Sequence, residues 1–315
     1  MNNGTLVLAD DIGDRTPRGR LRSRRLRDIA IEFSKLLSLK VELIFVINSP
    51  PALGKTQKTA TIEKDFEPLR LAALDHFKQN GVQAQIQIRA GNPAKEIIKF
   101  LEILPNPQFL VIGTHGRKGL SRLFLGSIAE EVIRHSKIPT LALGPQAQNK
   151  FTAGGLSSKS QILLLSDLSK STLAAEKFAL KLTRISGCKL SVLNCLGDHI
   201  LKTRLSLYGS GYVPLDLNKM FEDMKKEATR KLKMRLPIWK KHARSVSATL
   251  DTHEELIEKT FERELKKDYD LVVMGTHGRG PLLDAFIGST TRKVILRSPL
   301  PVIIIRNYPL TLHKK

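Results

Sequence analysis

Two cysteines, Cys188 and Cys195, are all that the chain contains. They cannot build a disulfide framework, and their spacing matches no zinc site, so buried thiols in a reducing compartment are expected. Aromatic residues make up only 5% of the sequence, which argues against a surface that stacks unpaired bases. No apolar run approaches the roughly 20 residues that span a bilayer. The longest, Ile162–Leu165 and Val302–Ile305, have the length of strands. The opening MNNGTLVLADD lacks the basic start and apolar core of a secretory leader, and a cytoplasmic protein is expected.

What the sequence does have is positive charge. The net charge is +22 over 315 residues, with 41% hydrophobic and 26% charged residues, a globular composition with room for two domains. The charge gathers at Arg15–Arg27 (RTPRGRLRSRRLR) and over Lys219–Arg244. Such a field suits nucleic acid or another acidic surface as partner, although a solvated basic face is the simpler account.

An internal repeat organises the chain. GTHGR occurs at 113–117 and again at 275–279, an offset of 162 residues (275 − 113). The same offset pairs Leu120 with Leu282, Phe124 with Phe286, Gly126 with Gly288, Ser127 with Ser289, and Pro139 with Pro301. The polar, Gly/Ser-containing stretch Gln146–Ser160 reads as a linker, which sets domains at 1–146 and 160–315. Each copy alternates strand-like and helix-like segments. In the first, strands are expected at Thr5–Asp10, Val41–Ile47, Val82–Ile88, 109–113 and Thr140–Leu143. Helices are expected at Arg24–Leu37, Glu63–Gln79, Ala94–Leu104 and from Gly126. In the second, helices are expected at Thr172–Ile185, Leu217–His242, Glu254–Lys267 and Thr290–Arg297. This alternation predicts α/β architecture, two tandem doubly wound parallel sheets with helices on both faces.

The chemistry concentrates in G-x2-G-x9-G-S, present as Gly113, Gly116, Gly126 and Ser127 and as Gly275, Gly278, Gly288 and Ser289. Each motif follows a buried strand and opens a helix. Glycines there let backbone N–H groups approach an anion, and the helix start adds its free amides and positive dipole end. Ser127 and Ser289 could cap the helix or donate to a phosphate oxygen. His115 and His277 recur too, but no carboxylate or nucleophile recurs beside them, so phosphate contact or loop packing is favoured over acid–base work. SPPALGKT (Ser49–Thr56) imitates a phosphate loop, but it has Ser49 where the first glycine belongs and two prolines that remove donors. Gly113, Gly116 and Gly119 imitate a dinucleotide fingerprint, but Pro281 takes the third place in the other copy.

The doubled motif resembles the universal stress protein family in its ATP-binding branch, and the likeness covers nearly the whole chain. The resemblance implies the adenine nucleotide alpha-hydrolase-like fold and ATP, or another adenine nucleotide, bound with or without Mg2+. In that family an aspartate ending the first strand contacts the adenosine end; the matching residues are Asp10 and Asp167. Ile128 and Thr290 stand after the loop serine, where backbone contact tolerates both. The resemblance also implies an intramolecular pseudo-dimer through Thr140–Leu143 and Val302–Ile305, with further homo-oligomerisation left open. No catalytic residue and no metal ligand is assigned. The expected function is non-enzymatic nucleotide binding in a stress response. The alternatives are a slow ATPase or adenylyl-transferring enzyme of the same fold, and a basic module for nucleic acid or lipid. Two departures set the copies apart. The turn Gly91-Asn92-Pro93 is Leu250-Asp251-Thr252 in the second copy, and only the first carries an Arg-rich insertion after Asp10. That insertion is expected to be a mobile loop, a cationic lid or an occluding one, and the second site to be the tighter.

Overall fold

The computed structural model describes residues 4–48, 58–114, 125–147, 155–211, 216–276 and 287–306, with residues 58–64 by backbone alone. The chain forms two compact units. The first runs to Gly155 and also takes Ile295–Ile304; the second holds most of the remainder from Leu156.

In the first unit, β1 (Thr5–Ala9), β2 (Lys40–Asn48), β3 (Ala84–Gly91), β4 (Pro107–Gly113) and β5 (Thr140–Leu143) lie in the order β3-β2-β1-β4-β5. All four junctions are parallel. Apolar runs make this possible: Leu6, Val7 and Leu8, and Phe109, Leu110 and Val111, are fully buried, as strands covered on both faces must be. Helices α1 (Pro17–Leu37), α2 (Lys58–Gln79), α3 (Pro93–Ile103) and α4 (Ser127–His135) connect them. The Gly91-Asn92-Pro93 turn works as its residues suggest. Gly91 takes φ 145°, Asn92 caps α3 by accepting from the Lys95 amide at 3.1 Å, and Pro93 opens the helix. The last strand of the second sequence copy, β10 (Val302–Ile305), lies antiparallel on β5, with Ile303 opposite Leu141.

In the second unit, β6 (Gln161–Leu165), β7 (Lys189–Cys195), β8 (Val246–Asp251) and β9 (Leu271–Gly275) are parallel in the order β9-β6-β7-β8. The helices are α5 (Leu173–Ser186), α6 (Leu196–Gly209), α7 (Leu217–His242), α8 (Ile257–Glu264) and α9 (Ser289–Arg297). Among the described residues no helix is long and apolar enough to cross a membrane.

Besides shifted ends of α2, which begins at Lys58 instead of Glu63, and of α8, which spans Ile257–Glu264 instead of Glu254–Lys267, two helices depart from expectation more widely. The Arg-rich stretch after Asp10 is not a loop: α1 starts at Pro17, two turns earlier than Arg24. Thr16 explains the early start, because its hydroxyl accepts from the Gly19 amide at 3.0 Å while proline fixes the first turn. Helix α6 was not expected at all. It packs Leu196 and Ile200 against Phe221 and Ala228 of α7. Its second residue, Gly197, lies so close to the α8-side chain that a Cβ would fall 1.8 Å from the His253 carbonyl oxygen. Backbone cannot yield as a flexible side chain can, so Gly197→Ala should cost about 1–3 kcal/mol by overpacking. Urea unfolding followed through Trp239, the only tryptophan, should show a lower midpoint; an unchanged midpoint would refute this reading of α6.

Candidate functional site

In both units the sheet order reverses beside the first strand of the copy, between β1 and β4 and between β6 and β9. The carboxyl ends of strands at such a switch point are where doubly wound sheets bind ligands. Asp10 and Asp167 follow β1 and β6; Gly113 and Gly275 end β4 and β9. The duplicated motif therefore brings these residues to the switch point of each unit.

The two loops close in the same way. The Gly126 amide donates to the Thr114 carbonyl at 2.9 Å, and the Gly288 amide to the Thr276 carbonyl at 3.1 Å. This ties the end of β4 to the start of α4, and the end of β9 to the start of α9. The Gly126 and Gly288 amides are thereby used internally. Gly126 is the N-cap of α4 with φ −59° and ψ 134°, an ordinary backbone conformation, and no side chain caps the helix. Ser127 and Ser289 are exposed at the first helical positions, Ile128 is exposed and Thr290 half-buried. Helix α4 carries Glu130 in its first turn; α9 carries no acid in its own first turn. Gly116, Gly278, Gly119, Pro281, His115, His277 and the Ser49–Thr56 segment lie outside the described residues.

The first strand ends differ sharply. Asp10 is buried, its carboxylate consumed by α1: Ser23 Oγ donates to Oδ1 at 2.6 Å and Arg27 Nε to Oδ2 at 3.2 Å. Burial pushes the Asp10 pKa upward, with Arg27 and Ser23 opposing. Over the neighbouring strand end, a Cβ on Gly113 would meet Leu26 at 3.2 Å and Arg22 at 3.5 Å. Arg22 in turn bonds Asp14 at 3.1 Å. The first turns of α1 thus fill the crevice between Asp10 and Gly113 with this chain's own side chains.

In the second unit the short link from Asp167 to α5 leaves Asp167 half-buried. Its Oδ1 accepts from the Ser169 amide at 2.9 Å and from Thr172 Oγ1 at 3.2 Å. Leu168 adopts φ 59°, a left-handed conformation uncommon for a residue with a Cβ. It is held from outside: Arg235 of α7 donates to the Leu168 carbonyl at 2.9 Å and also bonds Glu176. Glu176 accepts from Ser166 Oγ at 2.7 Å. Burial lifts its pKa against the pull of Ser166 and Arg235.

A model of the universal stress protein family matches residues 19–143 and 160–306. The chain belongs to the universal stress protein family. A universal stress protein of Methanocaldococcus jannaschii is 32% identical over 120 residues, 36% of this chain and 70% of its own length. One from Mycolicibacterium smegmatis is 23% identical over 227 residues, 72% of this chain and 70% of its own. Among solved structures, a universal stress protein from Archaeoglobus fulgidus superposes with a TM-score of 0.66 at 19% identity, covering 97% of this chain and 99% of its own. That likeness shows the shared α/β fold.

For a universal stress protein, the two copies present unequal strand ends. Sequence reasoning named Asp10 and Asp167 but missed the residues that differentiate them. Ser23 and Arg27 carry no motif; Arg27 lay in the expected helix from Arg24, and the Asp14-x-Thr16-Pro17 cap signal could have placed Ser23 there too. Thr114 and Thr276 were visible inside both GTHGR repeats. Arg235 reaches its loop from 59 residues beyond Glu176 and has no local signal.

Proposed function

We propose that this protein binds ATP or another adenine nucleotide at the second unit and acts through binding, not turnover. The carrying observation is the paired closure of strand end onto helix start, Gly126 on Thr114 and Gly288 on Thr276, at the two switch points. In the second unit the phosphates would lie at the amides of Ser289 and Thr290, beside Gly275 and Gly278. Asp167 would take the adenosine hydroxyls or amino group. The residues there fit a nucleotide: the link is short, Asp167 is half-buried and the first turn of α9 lacks an acid. The first unit fits poorly, since Arg27 and Ser23 hold Asp10 and Arg22 covers Gly113. Among the described residues no group of His, Cys, Asp and Glu could hold a metal ion; any Mg2+ is proposed only as a companion of the bound phosphates.

In this proposal the copies are domains 1–146 and 160–315, and the pairing of β5 with β10 supports a pseudo-dimer between them. A cytoplasmic stress-response role rests on family membership alone. The test is calorimetry with ATP, AMP and GTP on the whole protein and on Gly126→Val and Gly288→Val. Gly126 has a backbone conformation open to any residue, and a urea melt of each variant separates blocked anion approach from misfolding. Gly288→Val should weaken ATP binding at least tenfold and Gly126→Val less than twofold. Wild-type protein that binds no adenine nucleotide would end this reading, and phosphate release over many turnovers would replace it with an ATPase.

A further inference from the structure

The arginines that open α1 do more than cover a crevice. Burial along the helix defines two faces. Gly19, Ser23, Leu26, Ile29, Ala30 and Phe33 face inward. Arg20 and Arg24 stand exposed on the other side, with Arg18 exposed on the flank of the first turn and Arg15 exposed just ahead of the helix. These four make no ion pair among the described residues, and the nearby acids Asp10, Asp14 and Asp28 are committed to Arg27, Arg22 and His76.

Among the described residues these arginines form no ion pair that would stabilise the fold. Arg20 and Arg24 stand four residues apart, a like-charge helical pair that repels. Arg18 and Arg20 lie at the positive end of the helix dipole, where cations are disfavoured, and the acid packed against that turn, Asp14, is paired with Arg22. The long helix α7 shows the contrast. There Lys225, Lys226, Arg230 and Lys231 are matched by Glu222, Asp223 and Glu227 at helical spacing, so much of its charge is neutralised on the helix itself. A row of unmatched charge that costs stability and is locked onto a capped, packed helix is a preorganised surface for a polyanion.

We infer that the exposed face of α1 docks the phosphate backbone of double-stranded nucleic acid. Every cation between residues 15 and 27 is arginine, whose planar fork binds phosphate oxygens in pairs. No aromatic residue lies in that stretch, so unpaired bases have nothing to stack on. A membrane surface fits less well. The apolar face of α1 is spent in the core, and Leu21 is the one exposed large apolar side chain at these first turns, far less than an interfacial helix needs. Binding of this kind would be indifferent to sequence and steeply dependent on salt.

Fluorescence anisotropy of a labelled random-sequence DNA duplex, titrated with the full-length protein at several KCl concentrations, tests this. Arg18→Gln/Arg20→Gln/Arg24→Gln should lose at least tenfold in affinity, and the slope of log K against log salt should shallow by about 2 to 3. A control removing equal charge from α7, Lys233→Gln/Lys240→Gln/Lys241→Gln, should lose less than threefold. Circular dichroism should show both variants folded, and the single change Arg20→Glu should weaken duplex binding on its own. Equal losses in the two triple variants would reduce the effect to net charge and overturn the proposal. So would an unaffected α1 variant, or wild-type protein that binds phosphatidylserine vesicles but no duplex.

Discussion

Arg235→Met should destabilise the second unit by roughly 3–5 kcal/mol, the cost of stranding a buried carboxylate. Glu176 is 3% exposed, and its charge is balanced by the Arg235 guanidinium. Removing that cation leaves Ser166 and Thr172 as neutral donors to a carboxylate with no counter-charge. A specific signature follows from the chemistry. Adding Glu176→Gln to Arg235→Met should recover stability, because the amide oxygen still accepts from Ser166 while the buried charge is gone. The pH dependence has a defined sign. Burial already raises the Glu176 pKa, and losing Arg235 raises it further. A raised carboxyl pKa favours the folded state at low pH, and that contribution fades as pH climbs through the folded value. The gap between variant and wild type should therefore be widest near about pH 8 and narrower near about pH 5. Trp239 lies buried on the same helix, one turn from Arg235, so its emission reports this unit directly. A double variant no more stable than Arg235→Met, or a gap that widens on acidification, would show that the pair does not govern this loop.

The contrast between the two strand ends explains what was legible beforehand. Strand–helix alternation and the doubled glycine motif depend on local pattern, and β5, β10 and α7 begin and end where the periodicity put them. The motif likewise led to Asp10, Asp167 and both glycine loops. How each strand end is filled by the chain's own side chains was not legible, because it is decided by partners distant in sequence. Arg27 reaches Asp10 from 17 residues further along the chain, and Arg235 reaches Leu168 from α7. The Arg-rich stretch was misread as a loop because charge density was weighed over the cap signal at Thr16 and Pro17. Helix α6 was missed because its apolar residues, Leu196 and Ile200, pair with α7 and leave the rest of its surface irregular.

Asp10→Ala and Asp167→Ala should have opposite consequences, although the two residues hold equivalent places in the repeat. Asp10 has its carboxylate enclosed by Ser23 and Arg27, so its loss strands a largely buried arginine and a buried hydroxyl. That change should destabilise the first unit by roughly 3–5 kcal/mol and leave ATP affinity within twofold of wild type. Asp167 instead accepts from the Ser169 amide and Thr172 within the short link to α5, a turn that the link can hold by other means. Its loss should cost little stability. As the proposed ligand of the adenosine end, it supplies a charged acceptor, and hydrogen bonds to charged groups contribute about 1.5–3 kcal/mol. Asp167→Ala should accordingly weaken ATP binding by about tenfold to a hundredfold. Calorimetric titration of the two variants, each with a urea melt, separates the effects. Weakened binding in Asp10→Ala with none in Asp167→Ala would mean that α1 swings away to admit nucleotide, and the assignment of the site to the second unit would be wrong.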